Sequence, residues 1–223
     1  MILLSFSELS RRYPFAERIY TCEGGHLCIN GEAIAAVSSL AKKEDHNVKN
    51  ALSAIALTDG LFNTGMGIEA LFDFSAPSHR SETVAVADGV RYIDSSIDSS
   101  PARTSATLSA MPKGTHIILG GRGKGLSYAP LIPPLLHTTG AIIICGENRY
   151  EIKAAMVGID NLRERMILCD DLLSAVRAAV RIAERGDTVL LSPASTSFDA
   201  FSNFEERGNK FKEYIKNITE GTK

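Results

Sequence analysis

Apolar and polar residues follow three different rhythms along this chain, and each rhythm predicts a different kind of element. Between Arg18 and Ile34, two short runs of β-forming residues are separated by Gly24-Gly25 and followed by Asn30-Gly31. Both dipeptides favour tight turns that need positive φ, so the stretch predicts a small β meander. From His46 the period lengthens: Ala51, Leu52, Ile55 and Ala56 share one face of a helix through residues 47–57. A second helical stretch covers 67–72. The proline and small residues of Ser75-Ala-Pro77-Ser-His79 then mark a domain boundary at about Pro77.

Beyond the boundary, Thr83-Val-Ala-Val-Ala alternates up to Asp88-Gly89 and resumes in Val90-Arg-Tyr-Ile, which predicts a hairpin. Continuous apolar strands follow at 115–119, 141–145, 166–169 and 188–191, separated by helices at 101–111, 147–157 and 171–185, the last stopped by Gly186. Phe204, Gly208, Phe211 and Ile215 form one stripe of a closing helix. Strands that are apolar throughout and alternate with helices argue for a parallel sheet covered on both faces. The expected fold class is therefore α/β: a Rossmann-like, mostly parallel sheet with helices on both faces over 77–223, preceded by a small α+β unit over 1–76.

Composition narrows the function classes. With 44% hydrophobic and 22% charged residues, the 223-residue chain reads as an ordinary globular protein, one full domain plus a smaller piece. A net charge of −2 and dispersed Lys and Arg give no electrostatic footprint for nucleic acid. Cys22, Cys28, Cys145 and Cys169 are too widely spaced for a zinc site, and the apolar runs ending at Cys145 and Cys169 suggest buried free thiols in a reducing compartment. No metal site is expected. The opening Met-Ile-Leu-Leu is too short for a signal peptide or a membrane span, so a cytoplasmic location and no membrane partner are the default expectations.

Three loops carry candidate chemistry. Residues 192–197, Ser-Pro-Ala-Ser-Thr-Ser, leave a strand with four hydroxyls and no large apolar side chain. Such donors suit a carboxylate or phosphate at the carboxyl end of an α/β sheet, although on the residues alone capping of the next helix is the commoner role. Gly120-Gly121-Arg122-Gly123-Lys124-Gly125 follows another strand. Its glycines admit an anion to the backbone and Lys124 brings a point charge, yet a glycine turn after a strand is also common as structure alone. It matches neither a Walker loop nor G-x-G-x-x-G. Asp94-Ser-Ser-Ile-Asp98-Ser99-Ser100-Pro101 leads into a helix with Pro at its first position, and reads as a Ser-rich cap or as a ligand segment.

The closing segment, Ser192-Pro-Ala-Ser-Thr-Ser-Phe-Asp-Ala-Phe-Ser-Asn-Phe-Glu-Glu-Arg-Gly208, resembles the Mur ligase family, specifically its D-glutamate-adding members. The likeness extends over essentially the whole chain. It implies that Lys124 holds the side-chain carboxylate of D-glutamate, with Ser99, Ser197, Phe198 and Phe204 completing the substrate site. It implies nucleotide contacts from Arg80, Asp94, Asn47 and Asn50, the last two through His46-Asn-Val-Lys-Asn50, where asparagine at a helix start is otherwise a cap. Two departures stand out. Asp94 lies one residue earlier than the family's ribose-binding Asp, at whose position Ser95 stands. His79-Arg80 is separated from Pro77 by one extra residue.

By resemblance, residues 1–76 are the last part of the family's central ATPase domain and 77–223 its amino-acid-binding domain. The implied function is part of an ATP-dependent ligase that adds D-glutamate to UDP-N-acetylmuramoyl-L-alanine through an acyl phosphate, in peptidoglycan precursor synthesis. The family uses ATP and Mg2+; with no Walker loop in the chain, neither is expected to bind tightly here, no catalytic residue is expected, and the chain alone is expected to be inactive. Two alternatives compete. One is a stand-alone binding module that keeps the ligand site. The other is an unrelated redox domain, which would need G-x-G-x-x-G with an acidic residue about twenty positions on, and neither is present.

Overall fold

The computed structural model describes residues 6–14, 16–41, 43, 45–61, 63–74 and 77–221. The chain divides into two compact units, Met1–Ala76 and Pro77–Lys223.

In the first unit, α1 (Phe6–Arg12) precedes an antiparallel sheet of β1 (Tyr20–Glu23), β2 (His26–Ile29) and β3 (Glu32–Ala36), the expected meander. Gly24 and Gly25 turn the first hairpin, and Asn30 (φ 50°) with Gly31 (φ 84°) turns the second. Helix α2 (Asp45–Thr58) packs on β1, burying Val48, Ala51, Leu52 and Ile55 against Leu27, while α3 (Thr64–Phe72) adds Ile68. The Asn63 side chain caps α3 through the Gly65 amide at 2.8 Å. The apolar face foreseen for residues 47–57 is thus real, although Ala56 stays out of it.

The second unit contains β4 (Glu82–Ala87), β5 (Val90–Asp94), α4 (Pro101–Ser109), β6 (Thr115–Gly120), α5 (Ile132–His137), β7 (Ile142–Cys145), α6 (Arg149–Met156), α7 (Asp160–Arg163), β8 (Met166–Leu168), α8 (Leu172–Ile182), β9 (Thr188–Leu191) and α9 (Phe204–Glu220). The sheet order is β4-β5-β9-β6-β7-β8, with only β4–β5 antiparallel. Alternate residues of each strand serve opposite faces. Ile117, Leu119, Ile142, Ile144 and Leu190 pack under Leu108, Leu135, Ile152, Met156 and Leu162 from α4 to α7. Tyr92, Ile118, Ile143, Val189 and Leu191 pack under Ala175, Val176, Ala179, Phe211 and Ile215 from α8 and α9. Each fully buried Leu, Ile or Phe contributes roughly 1.5–3 kcal/mol, which is why two covered faces need strands without polar alternation.

The topology also locates a crevice. From β6 the chain leaves through α5 toward β7, whereas from the neighbouring β9 it leaves into α9, which packs on β4 and β5. The two exits diverge at the carboxyl ends of β9 and β6, and such switch points are where open α/β sheets hold ligands. The hydroxyl loop and the glycine loop start there.

Helix α5 was not foreseen. Its Pro133 and Pro134 both sit in the first turn, where a missing N–H costs nothing. The helix expected over 147–157 ends at Met156, and α7 follows as a separate turn. Cys145 and Cys28 are buried, while Cys169 and Cys22 are half-buried free thiols; burial pushes the Cys145 thiol up to about 12. Among the described residues no helix is long and apolar enough to cross a membrane.

Candidate functional site

The loop after β9 is locked rather than open. Ser192, Ser195 and Ser197 are all buried. The Ser192 hydroxyl donates to Asp98 Oδ2 at 2.8 Å, and Ser95 donates to the same oxygen at 2.7 Å. Thr196 Oγ1 donates to the Arg122 carbonyl at 2.9 Å. Ala194 sits at φ 58°, left-handed for a residue with a Cβ, a strain that the surrounding bonds must hold in place. Of this loop's four hydroxyls, the one that makes no hydrogen bond among the described residues is that of Ser197. Its carbonyl accepts from Ala200 and Phe201 in a turn, and the cap of α9 is Asn203, whose side chain accepts from the Glu206 amide at 2.7 Å. The capping role considered for Ser197 therefore belongs to Asn203.

The glycine loop is fitted against it. A Cβ on Gly120 (φ 120°) would lie 1.8 Å from the Cys145 carbonyl oxygen, and one on Gly121 (φ 143°) 2.1 Å from that of Thr196. These glycines serve close backbone approach between loops. Arg122 and Thr196 then exchange backbone hydrogen bonds, each 3.0 Å. Past this bridge the loop is exposed, and Lys124 Nζ donates to Ser99 Oγ at 3.2 Å. Lys124 and Ser99, from two different loops, thus meet near the switch point, and Ser197 directly follows Thr196 of the bridge.

The remaining predicted residues divide. Asp94 is wholly buried: Oδ2 lies 2.7 Å from His79 Nδ1, Oδ1 accepts from the Ser96 amide at 2.8 Å, and Lys212 Nζ is 4.0 Å away. The carboxylate expected to meet a nucleotide is thus engaged in bonds within its own unit. Phe204 packs edge-on against His79, ring centroids 6.1 Å apart, on this Asp94 side. Phe198 is exposed. Arg80 is exposed and forms no ion pair among the described residues, next to a His79 held at φ 67°. Asn47 and Asn50 lie in the other unit, within the first two turns of α2, which begins at Asp45, so neither is its cap. Asn47 is half-buried and Asn50 exposed; the His46 side chain and residues 75–76 lie outside the described residues. The Ser100 side chain makes no cap bond to α4, although Pro101 occupies the predicted first position.

Arg207 was missed. It is buried, its guanidinium donating to the carbonyls of Thr196 (3.0 Å), Ser195 (3.1 Å) and Ser96 (2.9 Å). Burial lowers its pKa to about 10, against the pull of Asp199. One sequence signal existed: Arg207 stands four residues before Phe211, on the buried stripe. Asn148 and Tyr128, which meet Ser195, were also missed, because nothing local marks them.

Among the described residues, the one group of potential metal ligands is His79, Glu82 and Asp94. Lys212 already places its ammonium 2.8 Å from Glu82, so the positive charge is supplied there. Burial pushes the Glu82 pKa up, but the bonds from Lys212 and the His79 amide outweigh it and hold the carboxyl below its ordinary range. A cavity of about 570 Å³ opens on the α8 and α9 side between Gly121, Gly146, Asp199 and Arg207; Lys124, Ser99 and Ser197 do not line it.

A family model described as "Mur ligase, glutamate ligase domain" matches residues 79–195. Proteins named UDP-N-acetylmuramoylalanine–D-glutamate ligase are 34% identical over 216 residues in Clostridium kluyveri, covering 93% of this chain and 47% of that protein. The one from Thiobacillus denitrificans is 37% identical over 214 residues, covering 93% of this chain and 43% of that protein. The chain therefore spans about half the length of these curated relatives. Among solved structures, a pseudomurein peptide ligase type C from Methanothermus fervidus superposes with a TM-score of 0.56 at 17% identity, covering 91% of this chain and 40% of that one. A murein peptide ligase from Psychrobacter arcticus gives 0.53 at 16%, covering 85% and 40%. These two share the fold.

Proposed function

Because this chain belongs to the Mur ligase family, we propose that its second unit is the amino-acid-holding part of an ATP-dependent amide ligase, with D-glutamate as the amino acid and UDP-N-acetylmuramoyl-L-alanine as the acceptor. The first unit, on this reading, is the closing portion of the nucleotide-handling domain. The observation that carries the proposal is the meeting of Lys124 Nζ with Ser99 Oγ beside the Arg122–Thr196 bridge. A dicarboxylate needs a fixed cation and several short donors, and the three loops provide them.

In this reading the Lys124 ammonium and Ser99 hydroxyl hold the side-chain carboxylate, the free Ser197 hydroxyl holds a second oxygen, and Phe198 and Phe204 wall the site. Fixing both ends of the amino acid aims its amine and converts an encounter into a positioned reaction. In the whole ligase, ATP activates the acceptor carboxylate as an acyl phosphate. The exposed Arg80 and Asn50 suit nucleotide contact, each within its own unit. Among the described residues the one cluster of potential metal ligands already carries the Lys212 ammonium against Glu82, and no step is assigned to magnesium.

The test is a nitrogen-resolved NMR titration of the chain with D-glutamate. The expected result is weak, millimolar-range binding, because loops from one unit leave a pocket that only closure completes. Shifts should concentrate at Ser99, Gly123 to Gly125 and Ser197, with smaller shifts for L-glutamate. Shifts centred elsewhere would refute the proposal. Micromolar affinity would favour a stand-alone binding module instead.

A further inference from the structure

Asn148 follows β7, on a loop that supplies none of the residues assigned to the ligand. It occupies the N-cap position of α6, where an asparagine ordinarily accepts from the helix's first amides and contributes about 1 kcal/mol. Here the side chain makes no cap bond. It is 7% exposed and turned toward the neighbouring loops. The Gly121 amide donates to Oδ1 at 3.0 Å, and since that amide can only donate, the orientation of the carboxamide follows. Nδ2 then donates to Ser195 Oγ at 2.8 Å and to Tyr128 Oη at 2.5 Å. The Asn148 amide donates in turn to the Gly121 carbonyl at 3.0 Å.

One residue therefore grips Gly121 at both its N–H and its C=O, and grips Ser195 by its hydroxyl. Gly121 immediately precedes Arg122 and Ser195 immediately precedes Thr196, so both arms of the Arg122–Thr196 bridge are anchored on one carboxamide. Lys124 stands two residues past that bridge on one arm and Ser197 one residue past it on the other. We propose that Asn148 is a positioning residue that sets the separation between the Lys124 loop and the Ser195–Ser197 segment, and so the fit of the site to an acidic amino acid. This role rests on the D-glutamate reading above. A neutral carboxamide serves it without a buried ion's desolvation cost, and supplies donor and acceptor together.

The experiment compares wild type, Asn148→Ala and Asn148→Asp by amide hydrogen exchange without ligand, by D-glutamate titration and by thermal unfolding. In Asn148→Ala, Gly121 and Thr196 should exchange about tenfold faster while Ile143 in β7 is unchanged, reflecting local opening. Its D-glutamate dissociation constant should rise about tenfold or more, as loosened positioning alone can do. Asn148→Asp still accepts from Gly121, and the Ser195 and Tyr128 hydroxyls rotate to donate, so its affinity should return to within about threefold of wild type. Unaltered Gly121 exchange in Asn148→Ala overturns the proposal. A loosened loop with wild-type affinity overturns it too, leaving a structural role. Should the alanine variant fail to fold, Asn148→Asp decides alone: tenfold weaker binding than wild type contradicts the proposal. A wild-type chain that gives no D-glutamate shifts is a different failure; it refutes the reading of the site and this role with it, whatever the exchange rates.

Discussion

The loops after β9 and β6 meet at the same switch point and are built on opposite terms. The β9 loop spends nearly everything inward: Ser192 on Asp98, Ser195 on Asn148, Thr196 on Arg122, and the Ser195 and Thr196 carbonyls on Arg207. The β6 loop is held as far as Arg122 and then runs exposed through Lys124, whose only hydrogen bond among the described residues reaches Ser99. A hydroxyl-rich loop suits ligand binding or capping, whereas the structure uses most of its hydroxyls as masonry and leaves Ser197. The comparison teaches a division of labour: one loop fixes a platform and the other brings the charge.

That division predicts a gradient of effects. The largest belongs to Arg207, where Arg207→Met removes the donors from three carbonyls, two of them buried, and should cost about 3–5 kcal/mol in urea unfolding. A cost below about 1 kcal/mol would mean that the β9 loop holds itself. Next, Gly121→Ala pushes a Cβ toward the Thr196 oxygen at a backbone angle that disfavours side chains, and should cost about 2–3 kcal/mol. Ser192→Ala leaves Asp98 with one hydroxyl donor fewer and should cost about 1–2 kcal/mol. At the smallest end, Glu82→Gln should cost about 0.5 kcal/mol at neutral pH, since its pair with Lys212 is partly exposed. The Glu82 pKa is depressed in the fold, so its contribution is complete above the ordinary carboxylate range and disappears as pH falls through the lowered value. Wild type and variant should therefore converge in acid; a gap that widened there would reverse the sign.

Much of the platform was legible and its fastening was not. The sheet could be read because strands buried on both faces carry continuous apolar runs, and the loops because glycine, proline and serine interrupt those runs. Lys124 and Ser99 came from resemblance, and the structure places them in contact. Arg207 and Asn148 escaped because their partners are backbone atoms and hydroxyls far away in sequence, such as the Ser96 carbonyl 111 residues before Arg207. Periodicity registers which face a residue occupies, never which distant carbonyl it will meet. Asp94 is a related case: resemblance carries a residue type to a position, and only the structure shows its carboxylate turned inward to His79.

The most direct measurement of the central claim is D-glutamate affinity in Lys124→Met. An exposed lysine with one long hydrogen bond contributes little to folding, so the thermal midpoint should hold while affinity falls by about tenfold or more, the loss of a charge-assisted contact. Wild-type affinity in that variant, with the fold intact, would show that the open loop does not bring the charge, and the account of this site would be wrong.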